Sequence, residues 1–349
     1  MILILPIAGK STRFENLRPK WMLTNPSGNF MLIDSILGLN LNKFNRIIIP
    51  YVKKHEEQYS FKEGLLKCFK KYNLEQKLDL LELEDFTKDQ VETIELALKL
   101  KNVKEPFLIK DSDNYFEFDS SYDENIVCYG SLEENKNIES PSKSYITVDD
   151  QNLVSNIIEK KVISDKFCCG GYYFLSKEEF LKNSNLNLES RYISHVIFNM
   201  MLNNHKFRAE QSFKFCDWGT KKDWVNYKSK FATIFLDLDG VVFKNSSHLL
   251  PPYIEDSEPL NKNIQKIKQL QDSNKVEFVI TTSRPEEYRE ITESQLKKQD
   301  IKYKQLIMGL QHNQRIIIND FSNSNPYKSC EAINIERNKD NLNEYLDLI

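Results

Sequence analysis

Two short segments, one near each end of the chain, carry residues whose types and spacing could do chemistry. Asp237 and Asp239 end an apolar run and are two residues apart, so both would project from one face of a strand end. One such carboxylate can attack phosphorus while the other protonates the leaving oxygen, which is the chemistry of phosphate ester hydrolysis. Near the N-terminus, another apolar run leads into a small, basic loop, which suits the binding of a nucleoside triphosphate.

Two more apolar runs add candidates to the segment that holds Asp237. Thr282 follows one of them and offers a hydroxyl donor for a phosphate oxygen, and Ser283 and Arg284 beside it are substrate-binding candidates. Asp320 follows the run Arg315–Ile318 and is an acid able to bind Mg²⁺ together with the two aspartates.

The N-terminal loop combines small residues with positive charge. Small residues let backbone N–H groups approach an anion, and cations offset its charge. A further cation, Lys20, follows Pro19, which fixes the local backbone and could aim Lys20 at the same site. The small residues of the loop are Ala8, Gly9, Ser11 and Thr12, and its cations are Lys10 and Arg13.

Two acids farther along the chain strengthen this interpretation. Asp113 comes shortly after the apolar run Phe107–Ile109, and Asp217 lies in a short turn. Carboxylates from separate strand ends can hold Mg²⁺ against a triphosphate. The carboxyl ends of strands are also where open α/β sheets place their ligands.

Length and composition limit the classes of protein. A chain of 349 residues predicts two domains. The net charge of −3 gives no basic field for nucleic acid, and no apolar run approaches the ~20 residues that span a bilayer, so we expect neither partner. The six cysteines include no CxxC pair, which favours free thiols and a cytoplasmic location. Homo-oligomerisation is left open.

Short apolar runs alternate with helical patterns, which is typical of the α/β class. We place a domain boundary in the polar segment 226–230, which gives domains at 1–228 and 231–349. The predicted strands are Ile2–Ile7, Arg46–Pro50, Leu78–Glu82, Pro106–Lys110, Asn125–Tyr129, Gly171–Leu175, Thr233–Leu238, Val276–Thr281 and Arg315–Ile318. The predicted helices are Met31–Leu39, Glu56–Lys70, Gln90–Lys99, Lys177–Lys182, Tyr192–Asn203, Asn261–Asp272, Pro285–Gln299 and Asn341–Leu348.

The first 228 residues resemble the sugar-phosphate nucleotidyltransferases, the family that makes nucleotide-activated sugars. The resemblance implies a Rossmann-like, GT-A-like domain. The matching segments are Ala8-Gly9-Lys10-Ser11-Thr12-Arg13 with Pro19-Lys20, Asp113-Asn114, Glu159-Lys160, Gly170-Gly171-Tyr172-Tyr173 in the strand that lines the sugar pocket, and Asp217-Trp218-Gly219-Thr220.

The resemblance also implies roles for these residues. Arg13 and Lys20 would neutralise phosphates, Lys160 would contact the incoming sugar phosphate, and Asp113 and Asp217 would hold Mg²⁺. The sugar phosphate would attack the α-phosphorus of a nucleoside triphosphate, the second substrate, and release pyrophosphate.

Two positions leave the nucleotide undefined. Ser11 replaces the second glycine of the family loop, and it narrows the approach of the backbone to a phosphate. Glu92 belongs to the stretch Thr87–Leu96, which lies where family members contact the base, but this stretch carries no base-specific signature.

The C-terminal part resembles the haloacid dehalogenase superfamily of aspartate-nucleophile phosphatases. Asp237–Val241 matches the D-x-D-G-[VT] motif, Thr282 the Thr/Ser motif and Asp320 the terminal acidic motif, with Arg315 as the nearest candidate for the cationic one. The segment Phe243–Pro259 is too short for a large cap. The resemblance implies a Rossmannoid domain with a minimal cap and a second Mg²⁺ site.

The motifs together predict a bifunctional enzyme. One domain would transfer a nucleotide to a sugar phosphate, the other would hydrolyse a phosphate monoester, and the setting would be surface or capsule polysaccharide precursor synthesis. Two alternatives are kept. The acceptor could be a polyol or choline-like phosphate used by a cytidylyltransferase, or one domain could be catalytically silent and serve a structural or regulatory role.

Overall fold

The protein forms two compact units, Met1–Trp224 and Val225–Ile349. Each unit contains strands of its own. The computed structural model describes residues 1–10, 14, 17–136, 140–320 and 328–346.

Among the described residues, the first unit holds eleven strands and the second unit holds three. The strands are β1 (Ile2–Ile4), β2 (Arg46–Val52), β3 (Leu78–Leu83), β4 (Phe107–Lys110), β5 (Asn114–Glu117), β6 (Asn125–Ser131), β7 (Tyr145–Val148), β8 (Val154–Ile158), β9 (Lys166–Phe174), β10 (Phe207–Gln211), β11 (Phe213–Asp217), β12 (Ala232–Asp237), β13 (Val276–Thr281) and β14 (Gln305–Ile307). The helices are α1 (Met31–Ile36), α2 (Lys53–Tyr59), α3 (Phe61–Lys71), α4 (Gln90–Leu100), α5 (Lys177–Ser184), α6 (Ile193–Leu202), α7 (Lys221–Lys228), α8 (Asn261–Asp272) and α9 (Arg289–Lys298).

The main sheet of the first unit has the strand order β10-β6-β9-β4-β1-β2-β3. The block β4-β1-β2-β3 is parallel, whereas β9 runs antiparallel to both β4 and β6. This sheet confirms the predicted α/β class for the first unit. The carboxyl ends of β1 and β4 lie side by side, so the residues that follow them meet at one edge.

Alternate residues of the central strands enter two different cores. Leu3 and Leu108 belong to the core on one face of the sheet, and Ile2, Ile4 and Phe107 belong to the core on the other face. Because side chains in a strand alternate between faces, an all-apolar run such as β1 indicates a strand that is covered on both sides.

A small second ladder builds out from the main sheet. Strand β11 pairs antiparallel with β5, and Asp217 lies opposite Asn114 in the register. Neither strand is among those predicted from the sequence, although both alternate polar with apolar residues, as strands with one buried face do. This pairing brings together two segments that are about a hundred positions apart in the chain.

Most predicted elements are present, with shifted ends. The predicted helix Glu56–Lys70 is two helices, because Ser60 takes a left-handed conformation with φ of 46° and ends α2. At the C-terminus, the described part of the predicted helix Asn341–Leu348 is one short 3₁₀ turn, Leu342–Glu344.

The second unit has a parallel sheet with the order β12-β13-β14 around an apolar core. The predicted strand Arg315–Ile318 is wrong: the segment is outside regular structure, and the side chain of Ile318 is 93% exposed. Three β-branched residues favour a strand only when a neighbouring strand pairs with them. In the described part of the second unit, the outer edge of β12 has no such partner.

The described residues include no helix that is both long and apolar enough to cross a membrane.

Gly38 tests the packing of α1 against β5. A Cβ atom at this position would lie 2.0 Å from the carbonyl oxygen of Phe116, which is backbone and cannot turn away. We expect Gly38→Ala to lower the free energy of unfolding of the first unit by about 2 kcal/mol or more. All three tryptophans lie in this unit, so urea denaturation followed by tryptophan fluorescence measures it.

Leu100→Ala is the control, because Leu100 is 60% exposed and its truncation should change the free energy by less than about 0.5 kcal/mol. A Gly38→Ala protein as stable as wild type would contradict the close approach of α1 and β5.

Candidate functional site

The centre of the candidate site is a pair of aspartates that the β5–β11 ladder brings together. Asp113 lies between β4 and β5, and Asp217 is the last residue of β11. The backbone N–H of Trp218 donates to the carbonyl oxygen of Asp113 at 2.9 Å. A Cβ atom on Gly219 would lie 3.1 Å from Asp217 Oδ1 and 3.5 Å from Asp113 Oδ2. Both carboxylates therefore border one small space that the glycine leaves open.

Each aspartate is paired with a lysine. Lys20 Nζ donates to Asp113 Oδ2, and Lys143 Nζ lies 2.6 Å from Asp217 Oδ2. Burial by itself would lower the pKa of Lys143, but attraction by Asp217 and Asp113 outweighs it, so this pKa is raised. Lys143 is missing from the sequence predictions, since no motif surrounds it and only its contact with Asp217 marks it.

A third lysine supports the same loop from inside. Lys110 is fully buried and donates to the carbonyl oxygens of Asp111 (2.7 Å) and Asn114 (2.9 Å) and to Asn114 Oδ1 (2.6 Å). Loss of hydration lowers the pKa of Lys110 to about 8, although Asp111 and Asp113 attract its charge. The predicted substrate residue Asn114 is therefore held by Lys110. The available sequence signal was a lysine that ends an apolar run.

Asp111 adds a third carboxylate that the sequence predictions omit. Gln90 Nε2 donates to Asp111 Oδ1 at 2.5 Å. Burial, and then repulsion by Asp113, raise the pKa of Asp111. Gly170 packs against it with a φ of +81°, and a Cβ atom there would lie only 2.3 Å from Asp111 Oδ2. Position 170 therefore requires glycine.

The predicted phosphate loop is described in part. Ala8 is buried and its carbonyl oxygen accepts from the backbone N–H of Thr87 at 3.3 Å. Gly9 and Lys10 are exposed, and a Cβ atom on Gly9 would meet no atom within 4 Å. The loop surface is open at these positions. The predicted loop residues Ser11, Thr12 and Arg13 lie outside the described residues.

Glu159 and Lys160 point to different partners. Glu159 accepts hydrogen bonds from Ser144 Oγ and from Ser194 Oγ (2.7 Å). Lys160 Nζ lies 2.5 Å from the hydroxyl of Tyr192 and 4.4 Å from the centre of its ring. Because Ser144 directly follows Lys143 in the chain, Glu159 lies close to the backbone of Lys143. Lys160, which the resemblance assigns to the sugar phosphate, is on Tyr192 and not on either aspartate of the central pair.

Tyr172 lies near Asp111 and Glu159. Burial raises the pKa of Tyr172 well above its usual value, and repulsion by Asp111 and Glu159 contributes to the rise. The hydroxyl of Tyr172 also forms a hydrogen bond with the thiol of Cys168.

Two predicted binding residues make contacts that stabilise the fold. Glu92 accepts from the backbone N–H of Lys88 and so helps to cap the start of α4, where the side chain of Asp89 accepts from the N–H of Glu92. Gly171 faces the core, since a Cβ atom there would lie 2.7 Å from the ring of Phe116. Its small size is a packing requirement.

The central pair fits a magnesium ion. The residues that the structure describes include no group of three or more His, Cys, Asp or Glu side chains placed to hold a metal. Mg²⁺ does not need such a cage, because it commonly binds one or two carboxylates and completes its shell with waters and substrate phosphates. Asp113 and Asp217, which share one space, are the carboxylates that suit this mode.

The second unit places its own candidates at the ends of two parallel strands. Asp237 ends β12, and its partner in the register is Thr281 at the end of β13. Thr282 Oγ1 donates to Asp239 Oδ2 at 3.3 Å. The Arg284 guanidinium, which is buried, donates to both oxygens of Asp239, with Nη2 to Oδ1 at 2.7 Å and Nε to Oδ2 at 2.9 Å. Arg284, predicted as a substrate-binding residue, is therefore paired with Asp239 in this structure.

Arg315 and Asp320 have different outcomes. Arg315 Nη2 donates to Ser283 Oγ at 2.9 Å, and its charge attracts Asp237, as does that of Arg337, which no sequence motif marked. Asp320 is exposed and its strand is absent, so the structure gives it no position at a strand end. The predicted metal residue Asp320 is not brought to Asp237 by a fourth strand.

No protein-family model matches the sequence, and no curated protein matches it either. Solved structures do resemble this chain. A nucleoside-diphosphate-sugar pyrophosphorylase from Vibrio cholerae RC9 is 18% identical, with a TM-score of 0.54, over 65% of this chain and 99% of that protein. An inositol-1-phosphate CTP transferase from T. maritima is 12% identical, with a TM-score of 0.51, over 64% of this chain and 90% of that one.

An apo UDP-glucose pyrophosphorylase is similar over 65% of this chain and 96% of its own, at 16% identity and a TM-score of 0.50. These shares are close to that of the first unit, which holds 224 of the 349 residues. At such identities the similarity establishes the fold. The predicted nucleotidyltransferase-like fold is thus confirmed over about that share of the chain, and the expected haloacid dehalogenase-like domain has no such support.

The buried ammonium of Lys110 predicts a pH dependence of stability. Its pKa is about 8 in the folded protein against 10.5 when unfolded. Between these values the unfolded state binds more protons, so the contribution of Lys110 to the free energy of unfolding increases as the pH rises. The difference in that free energy between wild type and Lys110→Met should therefore shift in favour of wild type from pH 8 toward 10.5, measured by urea denaturation with tryptophan fluorescence.

Lys101→Met is the control for this titration. Lys101 pairs with Asp79 at 2.5 Å at the other end of the strands, and its side chain is partly exposed. A difference between wild type and Lys110→Met that stays constant across the same pH range would refute the depressed pKa.

Proposed function

We propose that the first unit transfers a nucleotide from a nucleoside triphosphate to a phosphorylated alcohol and releases pyrophosphate. The observation that carries this proposal is the set of two aspartates and two lysines, Asp113 with Lys20 and Asp217 with Lys143, at the carboxyl edge of the sheet. A triphosphate needs both a metal site and cations, and these residues offer both. The shared fold with pyrophosphorylases and a CTP transferase agrees with the same reaction.

The chemistry asks for positioning and charge more than for a general base. A phosphate oxygen of the acceptor would attack the α-phosphorus while the bond to the β-phosphate breaks and pyrophosphate leaves. Asp113 and Asp217 would hold Mg²⁺, which offsets the charge of the phosphates. Lys20 and Lys143 would stabilise negative charge on the transferred and leaving groups. No proton has to be removed from an acceptor phosphate that is already ionised.

The polar groups near these residues suit a polyhydroxy acceptor. Glu159 and Asp111 offer carboxylate oxygens to hydroxyl groups, and the hydroxyl of Tyr172 lies near both. Sugars and cyclic polyols share this pattern of hydroxyls, and the similar structures include proteins described as acting on both kinds of molecule. We therefore propose a sugar or polyol phosphate and leave choline-like acceptors and the identity of the base open.

For the second unit we propose Mg²⁺-dependent hydrolysis of a phosphate monoester. The supporting observation is the convergence of Asp237, Asp239 and Thr282 at the ends of β12 and β13. Asp237 would attack phosphorus and form an aspartyl phosphate, which water then hydrolyses. Both oxygens of Asp239 accept from Arg284, so Asp239 has to leave Arg284 before it can pass a proton to the leaving group.

Together the two activities would make a bifunctional enzyme. A phosphatase that removes one phosphate from a bisphosphorylated sugar would supply the substrate of the transferase. The competing proposal is that the second unit is catalytically silent and structural. The role in polysaccharide precursor synthesis rests on the sequence resemblance, and no contact of the described residues bears on it.

Asp217→Asn tests the transferase. It removes one of two carboxylates for Mg²⁺, so we expect pyrophosphate release to fall by about 100-fold or more. The assay is pyrophosphate release from each of CTP, UTP, GTP, ATP and dTTP with Mg²⁺ and a panel of sugar 1-phosphates and polyol phosphates. Asp165→Asn is the matched control, because Asp165 pairs with Lys166 on the surface. Equal rates for wild type and Asp217→Asn would reject the assignment.

Asp237→Asn tests the phosphatase. Without its nucleophile the second unit should release no inorganic phosphate from monoesters with Mg²⁺, whereas pyrophosphate release should stay at the wild-type level. Asp256→Asn, which removes an exposed acid from the same unit, should leave both activities unchanged. Phosphate release that persists in Asp237→Asn, or that wild type lacks, would favour the silent-domain alternative.

A further inference from the structure

The ion pairs Lys20–Asp113 and Lys143–Asp217 involve the two carboxylates that would bind a metal ion. Both pairs are largely enclosed, with 15–21% of each side chain exposed. An enclosed carboxylate needs a cationic partner because little water is available to solvate it. In this structure the lysines serve as those partners, and they occupy the same carboxylates that suit Mg²⁺.

Among the described residues, the cluster holds three aspartates, Asp111 with the central pair, and three lysines, Lys110 with the two in the pairs. Adding Mg²⁺ alone would bring surplus positive charge and would set the ion against two ammonium groups. Adding a triphosphate alone would bring its charge against the carboxylates. Adding both lets the charge of the metal offset part of the charge of the phosphates, so less uncompensated charge enters the site than with the triphosphate alone.

We propose that Lys143 and Lys20 exchange partners during binding. Each ammonium leaves its aspartate for a phosphate oxygen as the aspartate takes up the metal, so metal and triphosphate bind together and the metal alone binds weakly. Lys143 is then a phosphate-binding residue whose ammonium is paired with Asp217 in the free protein. This proposal rests on the proposed nucleotidyl transfer.

The geometry of Lys143 allows the exchange. Its backbone is fixed, because its carbonyl oxygen accepts from the N–H of Lys160 at 3.0 Å. Its ammonium contacts Asp217 at 2.6 Å and lies 5.4 Å from the ring of Phe215, both on β11. A lysine stem has four rotatable bonds, so the ammonium can move from Asp217 to a nearby phosphate while the backbone stays in place.

Binding of Mn²⁺ without a nucleotide tests the exchange. The signal of free Mn²⁺ in electron paramagnetic resonance gives the dissociation constant for Mn²⁺ alone and, in a second titration, for Mn²⁺ with inorganic tripolyphosphate. Lys143→Met leaves Asp217 to the metal, so we expect Mn²⁺ alone to bind at least about fivefold more tightly than in wild type. Tripolyphosphate with Mn²⁺ should bind more weakly, because a cation for the phosphates is gone.

Two further variants make the result specific. Lys143→Arg keeps the charge and should bind Mn²⁺ alone as weakly as wild type. Lys101→Met removes a lysine from the remote pair with Asp79 and should change neither constant. Tryptophan fluorescence of Trp218, beside Asp217, together with the other two tryptophans checks that each variant is folded.

Opposite changes of the two constants in Lys143→Met support the exchange, since a residue that only stabilised the fold would weaken both. Mn²⁺ binding that is unchanged or weaker in Lys143→Met overturns it. Neither titration involves transfer, so pyrophosphate release by wild type in that case would reject the exchange and keep the reaction. Opposite changes without pyrophosphate release from any nucleotide would keep the exchange and reject the reaction.

Discussion

The candidate site of the first unit depends on the antiparallel pairing of β5 with β11. This ladder sets Asp217 beside Asn114 and joins Trp218 to Asp113 through a backbone hydrogen bond. Without this ladder, nothing would hold Asp217 beside Asp113, because the two residues are about a hundred positions apart in the chain. Main-chain hydrogen bonds fix the distance between the two acids, so the side chains can remain available for a ligand.

The lysines reduce the repulsion between the acids that this fold brings together in an enclosed place. Three carboxylates near one another would repel, and their burial would favour the neutral form, as the raised pKa of Asp111 shows. Lys20 and Lys143 offset this charge through ion pairs with Asp113 and Asp217, and Lys110 offsets it from the core while it holds the loop backbone. Under the proposed reaction, the same cations would serve a triphosphate.

The second unit also places polar residues at strand ends, but there one of the two aspartates is paired with a buried arginine. Parallel β12 and β13 carry Asp237 and Thr282 to one edge, while the next acid is committed to a buried guanidinium. Arg284 also donates to Gln295 at 2.6 Å, so it connects Asp239 to α9. An aspartate held in this way orders the loop after β12, and under the proposed hydrolysis it would have to move away from Arg284.

The sequence by itself determined many of the elements and part of the candidate site. Apolar runs and helical patterns predicted β13 and α8 with their observed ends, because local periodicity is enough to specify them. It also marked Asp113, Asp217 and Lys20. Only the tertiary structure decided that Lys143 faces Asp217 and that Arg315–Ile318 has no strand to pair with. Ion pairs and strand pairing join residues far apart in the chain, so their geometry depends on the path of the whole fold and not on local pattern.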